Sequence, residues 1–105
     1  VANAGAGETL AEIERLHEAD TRAIVESPTL TKEQKLEALD HVARKWAPAY
    51  QAFRAYRAAL AAARVALKAA EARELAGGEP DLAKLGELVS AALAAQQALA
   101  EAIPH

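Results

Sequence analysis

Residues 39–67 read LDHVARKWAPAYQAFRAYRAALAAARVAL, and this stretch decides the fold. Leu39, Trp46, Phe53, Leu60 and Leu67 recur at every seventh position. Val42, Ala49, Tyr56, Ala63 and Ala70 follow each of them by three. Alternating spacings of three and four place both rows on one side of an α-helix, as a heptad seam built for another helix. One row is bulky and the other mostly alanine. Small side chains on the second row permit a close interaxial approach, near the short end of the usual range of about 8–10 Å.

Outward from this seam, the helix boundaries are written in turn residues. Thr31-Lys32-Glu33-Gln34 is a capping box that starts the central helix, and Gly77-Gly78 ends it. The predicted helix covers 32–76, about 68 Å at 1.5 Å per residue. Pro48 falls within it at an outward position, and the bulky row stays in phase on either side. The reading favours one kinked helix over a break at Ala47. Upstream, Thr9-Leu10-Ala11-Glu12 reads as a second capping box, for a helix over 9–26 stopped by Ser27-Pro28. Downstream, Pro80-Asp81 announces a helix over 82–103, stopped by Pro104. Its rows are Leu82, Val89, Gln96 and Ile103, with Leu85, Ala92 and Leu99 beside them. No strand pattern interrupts these elements.

The expected fold is therefore all-α: helical hairpins around one long central helix, residues 9–105 forming a single domain after a flexible 1–8. The two flanking helices together match the central one in length, so each covers one half of it. Such a layer is only two helices thick and cannot bury its seam well. Homodimerisation, or docking of another helical protein, completes a bundle-like cross-section.

Composition agrees with a small core. Of 105 residues 52% are hydrophobic, and alanine makes up more than half of that share. The absence of cysteine excludes disulfide scaffolds, zinc–thiolate sites and thiol catalysis. No apolar run is long enough to span a bilayer. Net charge is −3, but residues 44–73 carry seven bases against the single acid Glu71. Acids dominate both flanks, so the arms are expected to fold onto the basic middle, with Glu12, Glu14, Glu18, Glu79 and Glu87 pairing its cations. The start, Val1-Ala2-Asn3-Ala4-Gly5-Ala6-Gly7, is small and aperiodic. It fits the residue of a removed export signal and equally the start of a shortened chain. Exported and cytoplasmic settings are both compatible with it.

Catalytic constellations are scant. Ser27 sits in a proline turn and Ser90 among alanines, neither in a nucleophile motif. Gly77-Gly78 lacks the Lys-Ser/Thr of a phosphate loop. His17 and Asp20 share an otherwise apolar helix face with Leu10, Ile13, Leu16 and Ile24, and Glu37 and His41 stand one turn apart beside Asp40. Neither pair has a third ligand, so both read better as helix-surface or interface polar groups than as metal sites. The terminal His105 is read as mobile. No enzyme, cofactor or metal is expected.

Two binding surfaces remain. Trp46, Tyr50, Phe53, Tyr56 and Leu60 are the bulkiest part of the seam and the candidate partner contact. Arg54, Arg57, Arg64 and Lys68 form a basic stripe; with the neighbouring aromatics they provide the alternative, a small nucleic-acid-associated protein. The aromatics' place on the seam argues for core, and the acidic whole-chain charge disfavours anionic partners. Membrane-surface binding is weaker still, because the other apolar faces are mostly alanine.

The run Lys45-Trp46-Ala47-Pro48-Ala49-Tyr50-Gln51-Ala52-Phe53, followed by alanine-rich heptads and a Gly-Gly turn into another helix, resembles small helical accessory proteins of phages, prophages and high-GC bacteria. The resemblance extends over residues 36–103. It implies a non-catalytic interaction or structural role, phage- or envelope-associated, and transfers no catalytic residue.

Overall fold

A computed structural model describes residues 6–104 of the chain. Three α-helices account for almost all of them: α1 (Ala6–Val25), α2 (Lys32–Leu75) and α3 (Leu82–Ala102). No strand occurs among the described residues. The protein is all-α.

Local chemistry sets the ends of α2. The Thr31 hydroxyl accepts from the Gln34 backbone N–H at 3.2 Å, and Gln34 Oε1 accepts from the Thr31 N–H at 2.9 Å. Two otherwise orphaned donors are satisfied reciprocally. At the other end Gly77 takes a left-handed φ of 83°. Its N–H donates to the Glu74 carbonyl at 3.1 Å and that of Gly78 to the Arg73 carbonyl at 2.8 Å. This is a Schellman closure, and the left-handed residue is the reason glycine stands there. The carboxylate of Asp81 caps α3 by accepting from the Lys84 N–H at 3.0 Å. Lys35 reaches back across the first connection and donates to the Val25 carbonyl at 2.8 Å, serving the end of α1.

One boundary differs from expectation. α1 begins at Ala6, so Thr9 lies inside the helix and does not cap it. A capping box offers a start without compelling one, and of the added residues Ala6, Gly7 and Glu8 only the glycine disfavours a helix, by about 1 kcal/mol. Residues 1–5 of the expected flexible segment, and His105, lie outside the described residues.

α2 runs without a break through Pro48, which is exposed. Proline has no N–H, so the Arg44 carbonyl loses its helical partner on a side open to water.

The three helices form a rod of 69 × 20 × 18 Å. Its radius of gyration is 19.5 Å, whereas a compact chain of this length would have about 13 Å. α1 and α3 each pack on α2, and they make no backbone contact with each other among the described residues. His17 meets Tyr50 and Asp20 meets Trp46, so α1 runs opposite to α2 along its first half. The core is concentrated there. Ile13, Val42, Trp46, Ala49, Phe53 and Tyr56 are buried, with Leu99 from the end of α3, and Leu10, Leu16, Ile24, Leu60 and Ile103 packed around them. Along the second half, Ala63 and Ala92 alone are buried among the described residues.

Candidate functional site

The bulky row of the seam thus has two fates. Trp46 and Phe53 are 2% and 5% exposed, whereas Leu39 and Leu60 are half-buried and Leu67 is 47% exposed. The seam from Leu39 to Leu67 closes only around its centre. Of the candidate partner contacts, Trp46, Phe53 and Tyr56 are covered by arms of the same chain, and Tyr50 and Leu60 are half-covered. A second molecule meeting this face would touch its far end.

The covered half is pinned by a polar cluster. Asp20 Oδ2 accepts from Trp46 Nε1 at 2.8 Å and from Lys45 Nζ at 3.0 Å. His17 Nδ1 and the Tyr50 hydroxyl share a hydrogen bond of 3.1 Å, its direction set by the imidazole tautomer. The His17 ring also stacks on Trp46, with centroids 6.0 Å apart. Hydrogen bonds from Trp46 and then Lys45 hold the Asp20 carboxyl below its ordinary pKa. Burial, followed by the charge of Glu14, pushes the Tyr50 hydroxyl above its own. His17 Nδ1 and Asp20 Oδ2 thus both find their partners on α2, and the cluster fixes the register of the two helices. Among the described residues, no three His, Asp or Glu side chains converge as a metal site would require. Glu37 and His41 are both exposed, and the adjacent Asp40 pairs with Arg44 at 3.1 Å.

The uncovered half is a groove of about 300 Å³ between α2 and α3. Leu60, Leu67, Leu85, Val89 and Leu93 supply its apolar walls, and Arg64 and Gln96 its polar ones. Val89 and Leu93 are 44% and 60% exposed. Leu93 escapes a heptad reading because it lies one residue beyond the Ala92 row; only the spacing Leu82, Val89, Leu93 shows that the apolar stripe of α3 is wider than its seam.

The basic stripe corrects another expectation. Arg54, Arg57, Arg64 and Lys68 are all exposed, and none is in an ion pair among the described residues. The acids proposed to neutralise them do not reach. Glu18 instead pairs with Arg22 one turn along α1. Because α1 covers the first half of α2, its carboxylates are on the wrong half of the rod for Arg57, Arg64 and Lys68.

No family model, curated protein or solved structure matches this chain. No helix among the described residues is long and apolar enough to cross a membrane.

Proposed function

We propose that the protein is a non-catalytic helix-packing module, and that the open groove between the second half of α2 and α3 is its contact surface. In this reading α1–α2 and α2–α3 are two hairpins sharing a long helix kinked at Pro48, and a helix from a second copy or from another helical protein completes the bundle. The observation that carries it is the exposure of Leu67, Val89 and Leu93 along one groove. Leucines at the lips of a groove lose hydration cost when a helix covers them, roughly 1.5–3 kcal/mol for each side chain fully buried. Grooves of this form are a recurrent seat for amphipathic helices. An accessory role agrees with the sequence resemblance to phage and bacterial helical proteins.

Photo-crosslinking tests this reading. A benzophenone side chain at Leu93 should yield a discrete adduct, with a second copy or with a component of the source cells, that disappears when Leu67→Glu is added. A benzophenone at exposed Arg44 should yield none. Diffuse or absent adducts at Leu93 refute the reading.

The unpaired basic stripe favours one alternative, nucleic-acid association through phosphate contacts. Against it, Trp46, Phe53 and Tyr56 are in the core and cannot stack on bases. Oligonucleotide binding at low salt that is lost in the Arg57→Glu/Arg64→Glu double variant would establish that alternative.

A further inference from the structure

We infer that the groove takes an acidic amphipathic helix of another protein, lying in line with α1 and presenting a carboxylate to Arg64. The inference rests on the helix-packing reading and names the partner's chemistry.

The chain itself shows what this side of α2 receives. Trp46, Tyr50 and Phe53 are the positions that face α1, through Asp20, His17 and the buried Ile13. Leu60, Arg64 and Leu67 stand two heptads further on, at the same three positions of the repeat. A two-heptad step returns a supercoiled helix to the same face. The trough that holds α1 therefore continues, and in the second half it is the groove walled on its other side by Leu85, Val89 and Leu93.

The occupant of the first half is an acidic helix, with Glu12, Glu14, Glu18 and Asp20 against Arg15 and Arg22. The second half is more basic than the first. Arg57, Arg64 and Lys68 run along its α2 edge, in no ion pair among the described residues, and Arg64 lines the groove itself. A second copy placed two-fold on this face brings those cations toward each other. An acidic helix neutralises them.

Register then specifies the sequence. Where α1 offers His17 to Tyr50, the partner offers Glu or Asp to Arg64, a geometry suited to a charge-assisted pair. Leu60 itself lies opposite the first turn of α1, which begins at Ala6, so the partner helix ends short of it and lies along Arg64 and Leu67. A peptide of residues 6–19 carrying His17→Glu has this carboxylate, stops short of α1 and serves as the probe.

Titration of the labelled peptide into the intact chain, followed by fluorescence anisotropy, tests this. Saturable binding is expected, weakened about tenfold or more by Leu93→Glu, an effect typical of losing a central apolar contact. Binding should also fall as salt rises. Arg64→Glu should weaken the probe and restore affinity for its His17→Lys counterpart. Leu93 and Arg64 are exposed, so both variants should keep wild-type helicity by circular dichroism. No saturable binding, binding indifferent to Leu93→Glu, or no charge-swap rescue overturns the inference. It also falls if sedimentation shows the chain alone to be a dimer dissociated by Leu93→Glu, since the groove then belongs to a second copy. In that case, or when crosslinks at Leu93 persist while the peptide fails, the helix-packing reading survives its partner.

Discussion

Asp20 receives the side-chain hydrogen bonds that tie Trp46 and Lys45 to α1. Replacing it with alanine leaves the indole N–H, on a ring only 2% exposed, without its acceptor. The cost should be about 1–3 kcal/mol, the desolvation penalty of an unsatisfied buried donor, measurable by urea unfolding. The pH dependence has a definite sign. The folded pKa of Asp20 lies below the ordinary 3.8, so the unfolded chain binds the proton first on acidification. Its contribution is fully present above pH 3.8 and is lost as pH falls through the folded value. Asp20→Asn should flatten that acid limb; an unchanged limb would mean that another carboxylate carries it. Tyr50 acts in the opposite range. Its raised pKa means the unfolded chain ionises first, so stability declines as pH climbs past 10.0. Tyr50→Phe should remove this alkaline decline while losing the His17 bond, worth about 0.5–1.5 kcal/mol. The seam positions separate by the same method. Phe53→Ala should cost about 3–5 kcal/mol, as for a ring in a packed core, and Leu67→Ala much less. Sequence periodicity placed both residues on one stripe but did not show that α3 packs beside Leu67 and not over it. That His17 and Asp20 are interface polar groups was legible from their apolar neighbours. Their bonds to aromatic partners were not, because heptad spacing sets a face and not a cross-helix register.

Elements were more legible than contacts, because each end of α2 is specified by a few residues whose chemistry is local. Thr31 with Gln34, and Gly77 with Gly78, act through hydrogen bonds spanning three to five residues, so their sequence reading survives intact. The start of α1 was less constrained: Thr9 offered a cap, but no residue upstream forbade another turn. Pro48 is the sharpest local conflict inside α2, which tolerates it because packing of Trp46, Ala49 and Phe53 on either side holds the helix together. Exposed at an outward position, Pro48 contributes no core contact that alanine would forfeit. Pro48→Ala restores a backbone hydrogen bond to Arg44 and relieves the ring clash, so it should stabilise the protein by up to about 3 kcal/mol. Thermal unfolding monitored at 222 nm checks this. A lower melting temperature would show that the proline sets a bend on which the packing of α1 depends.

At the scale of the whole molecule, the two halves of the rod differ in what holds them. The first half joins a fully buried Ile13 to Trp46, Phe53 and Tyr56 and pins them with the Asp20 and His17 bonds. The second half brings together two buried alanines, Ala63 and Ala92, and leaves Leu67, Leu75, Leu82 and Leu93 exposed. Buried apolar area supplies most of the resistance to local opening, so the rod should not open uniformly. Native-state hydrogen exchange should find the slowest amides around residues 42–56. Amides around 60–75 and in the first half of α3 should exchange through lower-energy openings that do not require global unfolding. Uniform protection along α2 would contradict this and imply that the alanine contact is stronger than its area suggests. This asymmetry couples stability to binding. A helix seated on Leu67, Val89 and Leu93 binds the closed state and not the opened one, so it slows exchange in the second half by mass action. The first half, already limited by its own core, should respond less. The groove is therefore both the candidate docking face and the place where docking has the most stability to add, which makes local protection a sharper readout of partner binding than the global melting temperature.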